Sequence, residues 1–174
     1  MAVRHADDHY AADALVEELR TAELLLVATL RLYALQCRDP AGDHPDWRDG
    51  FRAAAIAECA VPAFNALFNI ISVAALRPLD VRCPHRRFLG EDEANFLLLE
   101  GRLQRAQTDA AAAILAGWLP NSAARMAMLP AQGLADAMMQ GGLIVPMWKT
   151  KPEVPQREQR ASAYADRGLA LLLR

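Results

Sequence analysis

Between Arg77 and Gly90 the chain collects Cys83 and His85 among four arginines, Arg77, Arg82, Arg86 and Arg87. Three kinds of chemistry fit that mixture. Cys83 and His85, joined by Cys37 and His44, offer two thiolates and two imidazoles, the donor set that zinc takes in a tetrahedron. The spacing argues against it, since neither pair shows the two- to four-residue gaps of zinc modules; the plain alternative makes Cys37 a small buried side chain and His85 a solvated one. A second reading is a reactive thiolate, because Arg82, Arg86, Arg87 and a nearby helix start would all lower the pKa of Cys83. The third is an anion site in which Arg82, Cys83, His85, Arg86 and Arg87 act with unpaired backbone N–H groups near Gly90 on a phosphate or carboxylate. Glu91, Asp92 and Glu93 follow at once and compete for the same positive charge. Internal pairing between loop and acidic turn is therefore favoured over a bound anion.

No known catalytic pattern accompanies these residues. The chain lacks a glycine-rich phosphate loop, a Gly-x-Ser-x-Gly elbow, a His-Glu-x-x-His pair and a Glu-x-x-His pair. No cofactor is implied. A net charge of −2 speaks against a nucleic-acid binder acting through bulk electrostatics. Only Lys149 and Lys151 are lysines, so arginine makes up the other 17 of the 19 basic residues, a bias read as coding preference. The odd number of cysteines, spread over different segments, suits a reducing compartment, and the expected location is the cytoplasm. Met1 to His9 contains no apolar core of the kind a secretory signal needs.

The elements that must position these groups read as helices. Hydrophobic residues make up 53% of the 174-residue chain and aromatics 6%, so the apolar mass is aliphatic and alanine-rich, which suits close helix packing. Leu15, Leu19, Ala22, Leu26, Leu30 and Tyr33 recur at three- and four-residue steps and predict a first helix from about Asp8 to Cys37, with Arg31 off its buried seam. A second is expected from Pro45 to Glu58, broken near Cys59 to Val61 by Pro62 and resumed to Leu76. Phe96, Leu99, Leu103, Ala106, Ala110, Ala113 and Gly117 predict one regular helix from Glu91 to Leu119. Beyond Ala123 the pattern loosens into short pieces punctuated by Pro130 and closed by Gly141-Gly142. Leu143 to Trp148 is too short to assign as a strand.

Residues 53–76 carry one charge, Glu58, and are long enough to span a bilayer. Alanine dominates the run, however, and Glu58, Pro62, Asn65, Asn69 and Ser72 fall within a sector of under about 90° at ~100° per residue. A narrow polar stripe of that kind predicts a water-soluble bundle's central helix, buried on nearly every side, rather than a membrane span.

Five of the six methionines lie between residues 126 and 147. They serve as core filling or as an adaptable contact surface. The chain ends on Leu171-Leu172-Leu173-Arg174, an awkward finish for a free tail. The sequence thus predicts an all-α, single-domain bundle of about five to seven helices in residues 1–148. Residues 149–174 then form a Pro-containing connector and a C-terminal helix that docks on the bundle or on a second subunit. Function is expected to be binding or scaffolding without catalysis, in a homodimer held through Met126, Met138, Met139, Met147, Trp148, Leu171 and Leu172. A metal or small-anion site on the 77–90 loop is the alternative.

Overall fold

A computed structural model describes residues 10 and 14–146. The described chain is all helical apart from loops, with six α-helices: α1 Thr21–Arg38, α2 Asp49–Ala53, α3 Ala57–Ala74, α4 Glu91–Leu103, α5 Thr108–Trp118 and α6 Asn121–Gln140. It forms one bundle around a single apolar cluster. Met147, Trp148, Leu171, Leu172 and the whole 149–174 unit lie outside the described residues.

The helix wrapped by its neighbours is α4 rather than the long aliphatic α3. Nine of the thirteen α4 residues are buried, from Asp92 through Leu103, and α1, α5 and α6 all pack on it. The expectation for α3 is corrected accordingly: five of its eighteen residues, Ala60, Phe64, Leu67, Phe68 and Ile71, are buried. They define one face, while Glu58, Pro62, Asn69 and Ser72 of the polar stripe are exposed and Asn65 is half-buried. Among the described residues α3 is the one helix long and apolar enough to cross a membrane.

Four boundaries differ from the periodicity reading, each for a local reason. First, α1 starts only at Thr21, because the chain at Leu15 runs extended beside the loop: Val16 N–H donates to the Arg87 carbonyl and Leu89 N–H to that of Ala14. The helical spacing of Leu15 and Leu19 is thus coincidental; both are half-buried, before and after a short 3-10 turn at Val16–Glu18. Second, the break near Pro62 falls earlier, at Ala54–Ile56, where Ala55 takes φ 57°. Pro62 stays inside α3, where its missing N–H would have reached the carbonyl of Glu58, a residue on the exposed side of the helix. Third, the expected 91–119 helix is two helices, turned at residues 104–107 with Ala106 at φ 55°. No glycine or proline marks that turn. Fourth, Pro130 leaves α6 continuous for 20 residues, since the carbonyl it orphans belongs to Met126, which is exposed. Gly142, at φ 71°, follows the end of α6 as expected.

Packing of α6 against α3 is the most extensive in the bundle. The pair runs antiparallel, with Ala63 beside Gly133 and Ile56 beside Gly141. Absent side chains at these two glycines let the backbones close up. At the other end Leu76 N–H donates to the Trp118 carbonyl, tying the end of α3 to the end of α5. The loop carrying Cys83 leaves from there.

Candidate functional site

The 77–90 loop has no regular hydrogen-bond ladder of its own, so its backbone groups need partners elsewhere. They find them in two carboxylates from the first turn of α4. Asp92 accepts both guanidinium N–H groups of Arg77, at 2.7 and 2.8 Å, the Asp80 backbone N–H at 2.5 Å, and the indole N–H of buried Trp118 at 2.8 Å. Glu93 accepts from Arg31 at 2.7 Å on each oxygen, from the Arg82 backbone N–H at 3.0 Å and from Gly90 N–H at 2.7 Å. The Arg31 guanidinium also donates to the carbonyls of Arg86, at 2.6 Å, and Phe88, at 3.0 Å. Gly90 is required here, since a Cβ would run into the Asp80 carbonyl.

Arg31 and Glu93 are both fully buried, so α1, α4 and the loop are pinned by one charged pair with every oxygen in use. The structure corrects the placement of Arg31 off the buried seam. It lies four and eight residues after buried Val27 and Glu23, a spacing that keeps all three on one side of α1.

Electrostatics favour the ionised form of Asp92. Burial alone would raise its pKa, but the Arg77 ion pair and the Asp80 and Trp118 N–H groups hold it below the usual carboxylate range. A carboxylate with a depressed folded-state pKa contributes stability above its unfolded value, which is lost as pH falls through the folded one. Acid unfolding should therefore set in below about pH 4, and Asp92→Asn should flatten the melting temperature between about pH 5 and pH 2. Calorimetry across that range checks it; an unchanged acid limb in the variant would contradict the assignment.

The proposed anion ligands are placed as follows. Arg82 pairs with Asp80 at 2.9 Å and Arg87 with Glu17 at 3.1 Å, both on the surface. Arg86, His85 and Cys83 are exposed. At the start of α4, Gly90 N–H is taken by Glu93 and Glu91 N–H by Asp80 at 3.0 Å. The positive end of that helix is filled by the protein's own carboxylates, so an arriving anion would meet like charge. Internal pairing is the arrangement observed.

The proposed metal ligands are not brought together. Among the described residues no three His, Cys, Asp or Glu side chains form a group able to hold a metal ion. His44 instead lies 3.2 Å from Asp39, and Cys37, exposed rather than buried, sits beside Tyr33, whose pKa is pushed up to about 12 by burial and by Cys37. On the methionine surface, Met138 is fully buried and belongs to the core, Met139 is half-buried and Met126 is exposed. An open depression of about 650 Å³ lies where the α2–α3 turn meets the end of α6, lined by Arg52, Ile56, Cys59, Gln140 and Gly141 among others. Arg52 is engaged there with Asp46 and Asp49.

No protein family, no curated protein and no solved structure matches the chain.

Proposed function

We propose that this protein is a helical binding or scaffolding protein that works as a homodimer, with the outer face of the α3–α6 pair as its contact surface. The observation that carries the reading is the exposure of large apolar side chains on that face. Val73 is 89% exposed and Leu129 82%, and Leu76 and Met126 are largely open as well. Continuing the antiparallel register from Ala63 opposite Gly133 sets Ile70 and Val73 level with the first turns of α6, where Met126 lies. Scattered apolar residues on a surface mean little, whereas a set gathered on two adjacent helices marks a place where water is displaced by a partner. A two-fold axis across such a face matches apolar surface to apolar surface without a second specialised patch.

Catalysis is not part of the reading, because the carboxylates beside the loop, Asp92 and Glu93, are spent on holding it, and Arg82 and Arg87 on surface pairs. Cys37, Cys59 and Cys83 are all exposed free thiols, which supports a reducing compartment such as the cytoplasm.

Light scattering over a range of concentrations tests the proposal. The full chain should run as a dimer, and Met126→Asp with Leu129→Asp should weaken it at least ~100-fold with unchanged helical circular dichroism, since each carboxylate would be stranded in an apolar contact. A chain ending at Lys149 separates the contribution of the last 25 residues. A monomer at every concentration, or a double variant as dimeric as the parent, would rule the surface out.

A further inference from the structure

Glu100 stands apart from every other acidic residue described. It is fully buried in α4, and neither carboxyl oxygen has a hydrogen-bond partner. A carboxylate in that position would be charged, dry and unpaired, a state far more costly than its neutral form. Each element packed on α4 fails to relieve it. From α1 come Glu23, already bonded to the Tyr10 hydroxyl and the Arg20 N–H, and Arg31, spent on Glu93. The one charged residue of α5, Asp109, is exposed. From α6 comes Asp136, which accepts from Gln132 and adds like charge toward Glu100, while Arg125 is exposed.

The residues just past the end of α4 tie down the end of the described chain. Gln104, one turn beyond Glu100, donates to the Leu143 carbonyl at 3.0 Å and accepts from Val145 N–H at 2.8 Å. Arg105 donates to the Gly101 and Val145 carbonyls. The segment so held begins seven residues after Asp136, and Leu143 N–H closes onto the Met138 carbonyl. Glu100 on α4 and Asp136 on α6, near enough for the like charge of Asp136 to bear on Glu100, both precede the clasp that fastens residues 143–145.

We propose that Glu100 is a proton-dependent latch: neutral, it lets α6 close on α4, and on losing its proton it repels Asp136, opens the seam and frees residues 143–145 from Gln104 and Arg105. The step is a plain ionisation, the proton passing to water or buffer. The sign follows from burial, which together with Asp136 raises the pKa of Glu100 well above the ordinary carboxylate range. Stability from a group with a raised folded-state pKa is fully present below the unfolded value and is lost as pH rises toward the folded one. Closing is therefore favoured at low pH, and opening gains as pH rises.

Amide hydrogen exchange on the full chain tests it, with protection corrected for the intrinsic pH dependence. In the parent protein, protection at Leu143 and Val145 should fall as pH rises from about 5 to about 9, by about tenfold per pH unit within the titrating window, while amides of α3 change less. Glu100→Gln should flatten that dependence to under about twofold and raise the melting temperature at pH 8 by about 3 °C or more, with a smaller gain at pH 5. Should the variant fail to fold, infrared spectra of the parent decide: a neutral buried carboxyl keeps its carbonyl band to a higher pH than that at which the other acidic side chains have ionised. Flat protection in the parent, the same slope in Glu100→Gln, or no such band would each overturn the latch.

Discussion

Glu93→Ala is expected to destabilise the protein by about 3–5 kcal/mol, because it leaves a buried guanidinium without its counter-charge. The loss is larger than a single ion pair implies. Arg31 would keep two carbonyl partners, but the backbone N–H groups of Arg82 and Gly90 would be left unpaired at a helix start. With total stability of roughly 5–15 kcal/mol for a domain, the variant would stand close to its threshold. Glu93→Gln keeps an acceptor and should cost about half as much. The double change Arg31→Met, Glu93→Leu removes both charges and should recover part of the loss, though not all, since the loop carbonyls and N–H groups stay unserved. Urea titration gives the energies, and trypsin gives the location: cleavage after Arg82, Arg86 and Arg87 should accelerate in Glu93→Ala before the rest of the chain is attacked. A variant within about 1 kcal/mol of the parent, with unchanged cleavage, would mean the loop is held by something other than Glu93.

Two of the three inward-facing acidic residues of α4, Asp92 and Glu100, move stability with pH in opposite directions. Asp92, served by Arg77, Asp80 and Trp118, loses its stabilising charge as pH falls; Glu100, served by no donor, becomes a burden as pH rises. A single helix thus brackets the pH range in which the bundle is closed.

Much of the fold could be read from spacing alone. Apolar residues at three- and four-residue steps located the helical regions, and the proline and glycine pairs at Pro78 and Gly141-Gly142 ended them where expected. The failures have a common cause: apolar periodicity registers only apolar burial. The seam of α4 that carries Glu93, Leu97, Glu100 and Gln104 is as regular as the one through Phe96, Leu99 and Leu103, but its polar members hid it. The same reasoning made α3 the central helix because α3 is richer in aliphatic residues, although burial follows from position among neighbours. Alanine at positive φ broke two expected helices, and an alanine gives no warning of that conformation. For the loop, the competition between its arginines and the following acidic turn was visible. What spacing could not supply was the partner from 46 residues earlier in the chain, Arg31, nor which two of three consecutive carboxylates would turn inward.

Phe64→Ala is expected to cost about 3–5 kcal/mol, the range for removing a large buried ring. The ring is fully buried at the centre of an aromatic group that joins four elements. Its centroid lies 4.5 Å from Phe68 on α3, 5.0 Å from Trp47 and 5.7 Å from Phe51 at α2, 5.5 Å from Tyr33 on α1 and 6.2 Å from Phe96 on α4. Truncation would leave a void whose walls are other rings, held by separate helices and unable to collapse inward together. Phe64→Leu keeps most of the volume and should cost about 1–2 kcal/mol. Near-ultraviolet circular dichroism should lose much of its intensity in the alanine variant, and the emission of buried Trp47 should shift to the red as water gains access. The same measurement bears on the environment of α3, the described helix with the length and composition of a membrane span. If its apolar face is satisfied by Trp47, Phe51 and Phe96 in water, Phe64→Ala lowers the urea midpoint and alters Trp47 together. If lipid satisfied that face instead, the ring would be exchanging one hydrocarbon neighbour for another, and neither signal would move.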